Sequence, residues 1–133
     1  MIIGHGVDLI DIRRIDRTID RFGERFIKRI FTKNERIRSD KKQKRIESYA
    51  KRFAAKEAFV KAIGTGFRSE INFIDIEIKN YKNGKPYILL SKKLKNFLQK
   101  KFKIQKYKVF LSLSDEKDYS IAFVVIDKKI WKK

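Results

Sequence analysis

The sequence predicts an α+β fold in which a mainly antiparallel sheet packs on helices. Three observations carry that expectation. Helical patterns over residues 11–30 and 47–63 occupy the first half of the chain. Apolar alternation over 71–79 and a short run from Pro86 to Leu90 flank Asn83-Gly84, a hairpin signal. Two more strand-like runs, 107–114 and 119–126, are joined by Asp115-Glu116-Lys117-Asp118. The resulting order, βαα and then ββαββ, is that of an α+β protein and not of a wound parallel sheet. No repeat and no Ser/Gly/Pro-rich linker interrupts the pattern, so residues 1–133 read as a single domain.

Each element has its own reason. Residues 2–9 place Ile3, His5, Val7 and Leu9 on one side and Gly4, Gly6 and Asp8 on the other, a strand with a glycine face open to close approach. Over 11–30, Ile12, Ile15, Ile19, Phe22, Phe26 and Ile30 form an apolar stripe at helical spacing. At about 100° per residue, Arg14, Arg17, Arg21 and Arg25 fall opposite it. Residues 32–46 are polar and lysine-rich; Thr32 and Glu35 have capping-box spacing, which predicts a short helix followed by a loop. The helix over 47–63 stops at Gly64. Its apolar face is Tyr49, Phe53, Val60 and Ile63, with a strip of Ala50, Ala54 and Ala58 beside it. Ser91 caps a helix reaching about residue 103, carried by Leu94, Phe97, Leu98 and Phe102.

Composition narrows the function classes. There are 35 Lys+Arg against 16 Asp+Glu, a net charge of +19, which predicts a polyanionic or strongly acidic partner. The charge is spread from end to end, and a composition rich in Lys, Ile, Phe and Asn, as AT-rich codon usage favours, accounts for part of it. There is no cysteine, hence no disulfide framework or thiolate metal site, in keeping with a cytoplasmic location. The N-terminus lacks the pattern of a signal peptide, and the longest apolar run, Ile121 to Ile126, is too short to span a bilayer.

Two acids are candidates for chemistry. Glu57 and Lys61 lie one helical turn apart on the edge of the alanine strip, where a ligand or another backbone approaches closely. They read either as an ion site or as an i,i+4 surface salt bridge. Asp8, an acid within an apolar strand beside two glycines, needs a partner or a metal, or else caps the next helix. Two carboxylates suffice for Mg²⁺, which keeps several waters and takes substrate phosphate into its shell. Lys56 points toward the apolar face and either snorkels or stands near phosphates. Gly64-Thr65-Gly66 is a turn whose backbone N–H groups can meet a phosphate, or simply a helix stop. His5, the sole histidine, reads as strand packing.

Five segments taken together are more specific than any one of them. Gly6-Val7-Asp8-Leu9-Ile10, Arg52-Phe53-Ala54-Ala55-Lys56-Glu57-Ala58-Phe59-Val60-Lys61-Ala62, Gly64-Thr65-Gly66, Asn83-Gly84-Lys85-Pro86 and Ser112-Leu113-Ser114 occur in this order. The chain thereby closely resembles the holo-acyl-carrier-protein synthases, the small class of 4′-phosphopantetheinyl transferases. The resemblance implies transfer of 4′-phosphopantetheine from coenzyme A to a serine of apo acyl carrier protein, releasing adenosine 3′,5′-bisphosphate, in support of fatty acid biosynthesis. It implies Mg²⁺ held by Asp8 and Glu57, with Lys61 on phosphate. It further implies that Gly64, Thr65, Gly66, Lys85 and Pro86 border the nucleotide. Arg52 would reach a cofactor bound mainly to a neighbouring subunit, since this class is a homotrimer with interfacial active sites. Arg14, Arg17, Arg21 and Arg25 then have a use, because acyl carrier proteins are acidic. One departure is Asp115, at a position where many relatives carry histidine. The rival reading is a non-enzymatic RNA- or DNA-binding module, favoured by charge and by Tyr107 and Phe110, but without a matching motif and with no use for two inward acids.

Overall fold

The computed structural model describes residues 1–68 and 71–129; Trp131, in the tail to which the sequence assigns no role, lies outside the described residues. In chain order the elements are β1 (Ile2–Asp11), α1 (Ile12–Phe22), α2 (Glu24–Ile30), α3 (Lys33–Asp40) and α4 (Arg45–Ile63). Then come β2 (Ile76–Asn80), β3 (Pro86–Leu90), α5 (Lys92–Phe102), β4 (Tyr107–Asp115) and β5 (Tyr119–Lys128). Both sheets are antiparallel: a three-stranded sheet in the order β1-β5-β4, and the β2-β3 hairpin. The α+β expectation holds.

Helix α4 is the axis of the core. Tyr49, Ala50, Ala54, Ala55, Ala58 and Phe59 are fully buried, and the inner residues of β5, Ala122, Val124 and Ile126, close over them. The glycine face of β1 lies directly on this helix. A Cβ built at Gly4 or Gly6 would stand 2.1 Å from the carbonyl oxygen of Ala62 or Ala58 respectively, a distance that real Cβ atoms do not show. Two glycines and an alanine strip therefore let strand and helix backbones meet without side chains between them.

Three sequence expectations need correction. The helical stripe over 11–30 is two helices, broken at Gly23, whose φ of 58° lies in the left-handed region. The break resets the phase: Ile27 and Ile30 are buried, whereas Phe22 is 54% exposed. Arg25 accordingly belongs to α2, and not to the helix of Arg14, Arg17 and Arg21. The alternation over 71–79 becomes a strand only from Ile76. Asn72 and Asp75 instead form a reciprocal cap around a 3₁₀ turn at Phe73–Asp75, which turns Ile74 outward.

Lys56 is the third correction. It neither snorkels nor faces phosphate. It is 0% exposed, pairs with Glu35 at 2.7 Å, and donates to the carbonyls of Ile30 (2.9 Å) and Phe73 (3.0 Å). The Glu35 carboxylate also accepts from the backbone N–H groups of Thr32 and Ile78, while Thr32 Oγ1 donates to Glu77. The expected Thr32–Glu35 capping box is present, and its acid at the same time ties α3 to α4 and β2.

The outer face of the three-stranded sheet is apolar and uncovered by the described residues. Val7 pairs with Phe123 and Leu9 with Ile121 across β1 and β5, and all four are exposed, as is Phe110 on β4. His5 lies on the same face. Among the described residues no helix is long and apolar enough to cross a membrane.

Candidate active site

The close approach of β1 to α4 sets the two candidate acids side by side. Asp8 is two residues along the strand from Gly6, and Glu57 adjoins Ala58, whose carbonyl faces that glycine. Burial and, secondarily, the charge of Asp8 push the Glu57 carboxyl above its usual range; Lys61 and Arg14 oppose the shift. No described residue donates a hydrogen bond to the Glu57 carboxylate. Lys61 Nζ instead bridges to Asp8 Oδ1 at 3.0 Å and to the carbonyl of Val7 at 3.1 Å. Both plainer readings of these residues thus fail. Lys61 does not make an i,i+4 salt bridge to Glu57, and the cap of α1 is Asp11, which accepts from the N–H of Arg13.

Two half-buried carboxylates that repel one another, one without a donor, fit a hard cation. A divalent ion would remove the repulsion and replace the missing donors. Among the described residues no group of three or more His, Cys, Asp or Glu side chains gathers around one point, so Asp8 and Glu57 would be the whole protein share of such a shell.

Arg52 belongs to a different place. Nine residues separate it from Lys61 on α4, which puts the two on opposite sides of the helix and about 13 Å apart along it. Arg52 is 4% exposed, donating to Ser48 Oγ (2.7 Å), the Ser48 carbonyl and Asn80 Oδ1 (3.3 Å). It lines a cleft of about 460 Å³ together with Arg38, Lys42, Lys44 and Gly84. The tip of the β2-β3 hairpin, with Lys85 and Pro86, adjoins that cleft, the Lys85 N–H donating to Asn83 Oδ1 at 3.0 Å. Gly64 and Gly66 lie at the C-terminal end of α4 with φ of 74° and 67°, Thr65 between them. Within one copy of the chain the candidate residues therefore fall in two separate places. Asp8, Glu57 and Lys61 lie on one side of α4, and Arg52 with the hairpin on another. Ser48, Asn80 and Lys44 were missed by the sequence reading, because the cleft draws on three separated segments.

The basic face is real in part. Arg14, Arg17, Arg21 and Arg25 are all exposed, and none makes a salt bridge with a described residue. Arg13 alone is spent, on Asp11 (2.8 Å) and Asp118 (3.7 Å). Exposed Phe22, under the Arg21 guanidinium, puts an apolar ring in the middle of the cations. Asp115 pairs with Lys51 at 2.9 Å.

Known proteins share this sequence and fold. The family model described as the 4′-phosphopantetheinyl transferase superfamily matches residues 4–124. A holo-[acyl-carrier-protein] synthase of Pelagibacter ubique is 47% identical over 96% of this chain and 98% of its own. One from Bartonella henselae is 46% identical over 96% of both. Among solved structures, the holo-[acyl-carrier-protein] synthase of Neisseria meningitidis superposes with a TM-score of 0.86 at 41% identity, covering 96% of this chain and 100% of that one. That of Bacillus anthracis, solved in complex with CoA (3′,5′-ADP), gives 0.79 at 37% identity over 97% and 99%. A family model spanning nearly the whole chain, relatives of this identity and the shared fold lead to one assignment: the chain belongs to the 4′-phosphopantetheinyl transferase superfamily and, within it, to the holo-acyl-carrier-protein synthases.

Proposed function

We propose that residues 1–133 form one cytoplasmic transferase domain. It moves 4′-phosphopantetheine from coenzyme A to a serine of apo acyl carrier protein, in support of fatty acid biosynthesis, with Mg²⁺ as cofactor and adenosine 3′,5′-bisphosphate as the second product. The observation that carries this reading is the pair Asp8 and Glu57, two mutually repelling carboxylates within reach of one lysine. Mg²⁺, when bound, supplies positive charge to the pyrophosphate, which is what phosphoryl-type transfer chiefly requires. Asp8 and Glu57 would hold it, and Lys61, already fixed between Asp8 and the Val7 carbonyl, offers its remaining proton to a phosphate oxygen. The serine oxygen forms the new bond to the pantetheine-bearing phosphorus, the bond from that phosphorus to the bridging oxygen breaks with its electron pair leaving on adenosine 3′,5′-bisphosphate, and the serine proton passes to water. Gly64, Thr65 and Gly66 border the cofactor from the same chain.

Arg52, with Lys85 and Pro86, takes the nucleotide end of a cofactor held by a neighbouring copy. The opposite placement of Arg52 and Lys61 on α4 supports this division, as does the uncovered apolar sheet face. The assembly is then a homotrimer with interfacial sites. Phe123→Glu, which puts a charge at the centre of that face, is expected to yield monomers at micromolar concentration and to lose transfer with them. Light scattering with a parallel assay decides it; a fully active monomer refutes the interfacial site.

The carrier docks on Arg14, Arg17, Arg21 and Arg25. Reversing Arg14 and Arg21 to Glu is expected to raise the carrier KM by well over tenfold, on the order of 1.4 kcal/mol or more, and to flatten its salt dependence. The coenzyme A KM moves far less. Equal damage to both substrates in steady-state kinetics would show that the face is not the docking surface.

The overall test is incubation with apo acyl carrier protein, coenzyme A and Mg²⁺. Intact-protein mass is expected to rise by one phosphopantetheine on the carrier. An unchanged carrier, with a folded enzyme and Mg²⁺ present, overturns the reading.

A further inference from the structure

The cleft around Arg52 has the composition of a site for a dianion. Arg38, Lys42, Lys44, Lys51 and Arg52 face a single acid, Glu47. Arg52 is almost wholly buried, its hydrogen-bond partners are neutral oxygens, and its Nε has no partner among the described residues. Burial chiefly pushes its pKa down, so the charged form lacks full compensation until an anion arrives.

Lys51 lines this cleft, and Asp115 and Glu116 line the adjoining hollow, which shares Gln43, Lys44 and Glu47 with it. Lys51 Nζ lies 2.9 Å from Asp115 Oδ2, while Ser120 Oγ donates to Asp115 Oδ1 at 2.7 Å. Ser120 is fully buried and fixes the carboxylate from the strand side, and Lys51 is the cation that pairs with it directly, while Lys44, Arg45 and Lys117 line the same hollow. The structure thus sets an anchored negative charge in the hollow beside a site that lacks a negative ligand, joined to that site by Lys51, which lines the cleft and pairs with the acid.

We propose that Lys51 is a binding residue for the phosphomonoester end of the cofactor, and that it acts by neutralising Asp115 in the hollow beside the Arg52 cleft. This rests on the transferase reading. With the pyrophosphate taken by the Asp8, Glu57 and Lys61 site, the anion of coenzyme A left for a second cationic site is its 3′-phosphate. The charges give the two members of the pair opposite signs. Removing Lys51 deletes an attraction and uncovers a repulsion. Removing the Asp115 charge deletes the repulsion and leaves the lysine free for the ligand.

The test compares kcat/KM for coenzyme A and for 3′-dephosphocoenzyme A in the whole enzyme, with apo acyl carrier protein. The wild type is expected to prefer coenzyme A. Lys51→Ala lowers that preference by about tenfold or more, chiefly through KM. Asp115→Asn holds or raises it, and the double variant Lys51→Ala/Asp115→Asn recovers most of the loss. A lysine that merely supported the fold would lower both substrates alike and would not be rescued by removing its partner. Titration with adenosine 3′,5′-bisphosphate and with adenosine 5′-phosphate reads the same preference if a variant loses turnover. An unchanged preference in Lys51→Ala, a fall in Asp115→Asn, or a double variant as poor as the single overturns the proposal. A wild type that uses both cofactors equally removes the phosphomonoester assignment and leaves the transferase reading intact. One that transfers from neither removes both.

Discussion

Glu57→Ala and Asp8→Ala are each expected to abolish transfer while leaving a folded protein, with losses of at least roughly a thousandfold in kcat, because electrostatic stabilisation of a developing phosphate charge is the largest single contribution such a site makes. Without either acid, the only remaining carboxylate cannot hold a divalent ion against water. The effect on stability has the opposite sign. The Glu57 carboxyl is raised by burial and by Asp8, so the folded state binds its proton more tightly than the unfolded chain does. Stability in the absence of metal therefore falls as pH rises from the unfolded carboxyl range through the raised value of Glu57. Glu57→Gln removes that penalty, and its melting temperature at neutral pH, in chelator, should equal or exceed that of the wild type. Mg²⁺ should add to the rise in melting temperature that coenzyme A gives the wild type, and should add nothing in Glu57→Gln. A Glu57→Ala enzyme of near normal rate would sink the metal assignment.

The largest expected loss of stability comes from Lys56→Ala. That change leaves the Glu35 carboxylate, 1% exposed, without its cation. Breaking a buried pair by removing one partner costs about 3–5 kcal/mol, which in a chain of this size is roughly a ten-degree fall in melting temperature or more. The carbonyls of Ile30 and Phe73 lose a donor at the same time. Pairing Lys56→Met with Glu35→Gln should recover much of this, because the amide side chain keeps one oxygen for the backbone donors and no unpaired charge is left. Thermal unfolding of the single and double variants checks it. A Lys56→Ala protein that melts within about two degrees of the wild type would show that the pair contributes little.

These two residues also mark how far the sequence could be read. The Thr32–Glu35 cap was legible because its four residues are adjacent. The second employment of Glu35 was not, since Lys56 is 21 residues away and the Ile78 N–H is 43. Helical spacing placed Ile15 and Ile19 in the core correctly, but periodicity is blind to a single glycine. The left-handed turn at Gly23 moved Ile27 inward and Phe22 out. Alternation over 71–79 suggested one strand, and a local side-chain cap at Asn72 and Asp75 overrode its first half. At the candidate site, position along strand and helix singled out Asp8, Glu57 and Lys61, but spacing along the helix suggested the wrong partner for Lys61. Its actual partner, Asp8, stands on a strand 53 residues away. Only folding brings the two together, and the Arg52 cleft escaped notice for the same reason.

The bare face of β1 has a consequence for rate. Nothing but backbone separates Gly6 from the Ala58 carbonyl, so the thickness of a hydrogen atom sets how far Asp8 stands from Glu57. A methyl group at Gly6 would begin 2.1 Å from that oxygen, and ordinary contact starts at 3.4 Å, so the strand must lift by more than an ångström. Asp8 would rise with it while Glu57 stayed on the helix. Two carboxylates proposed to grip one ion would tolerate little such parting, and a misplacement of about 1 Å can cost roughly a hundredfold in rate. Gly6 is in this sense the feeler gauge of the enzyme: a residue with no functional group that sets the gap across which the functional groups must work.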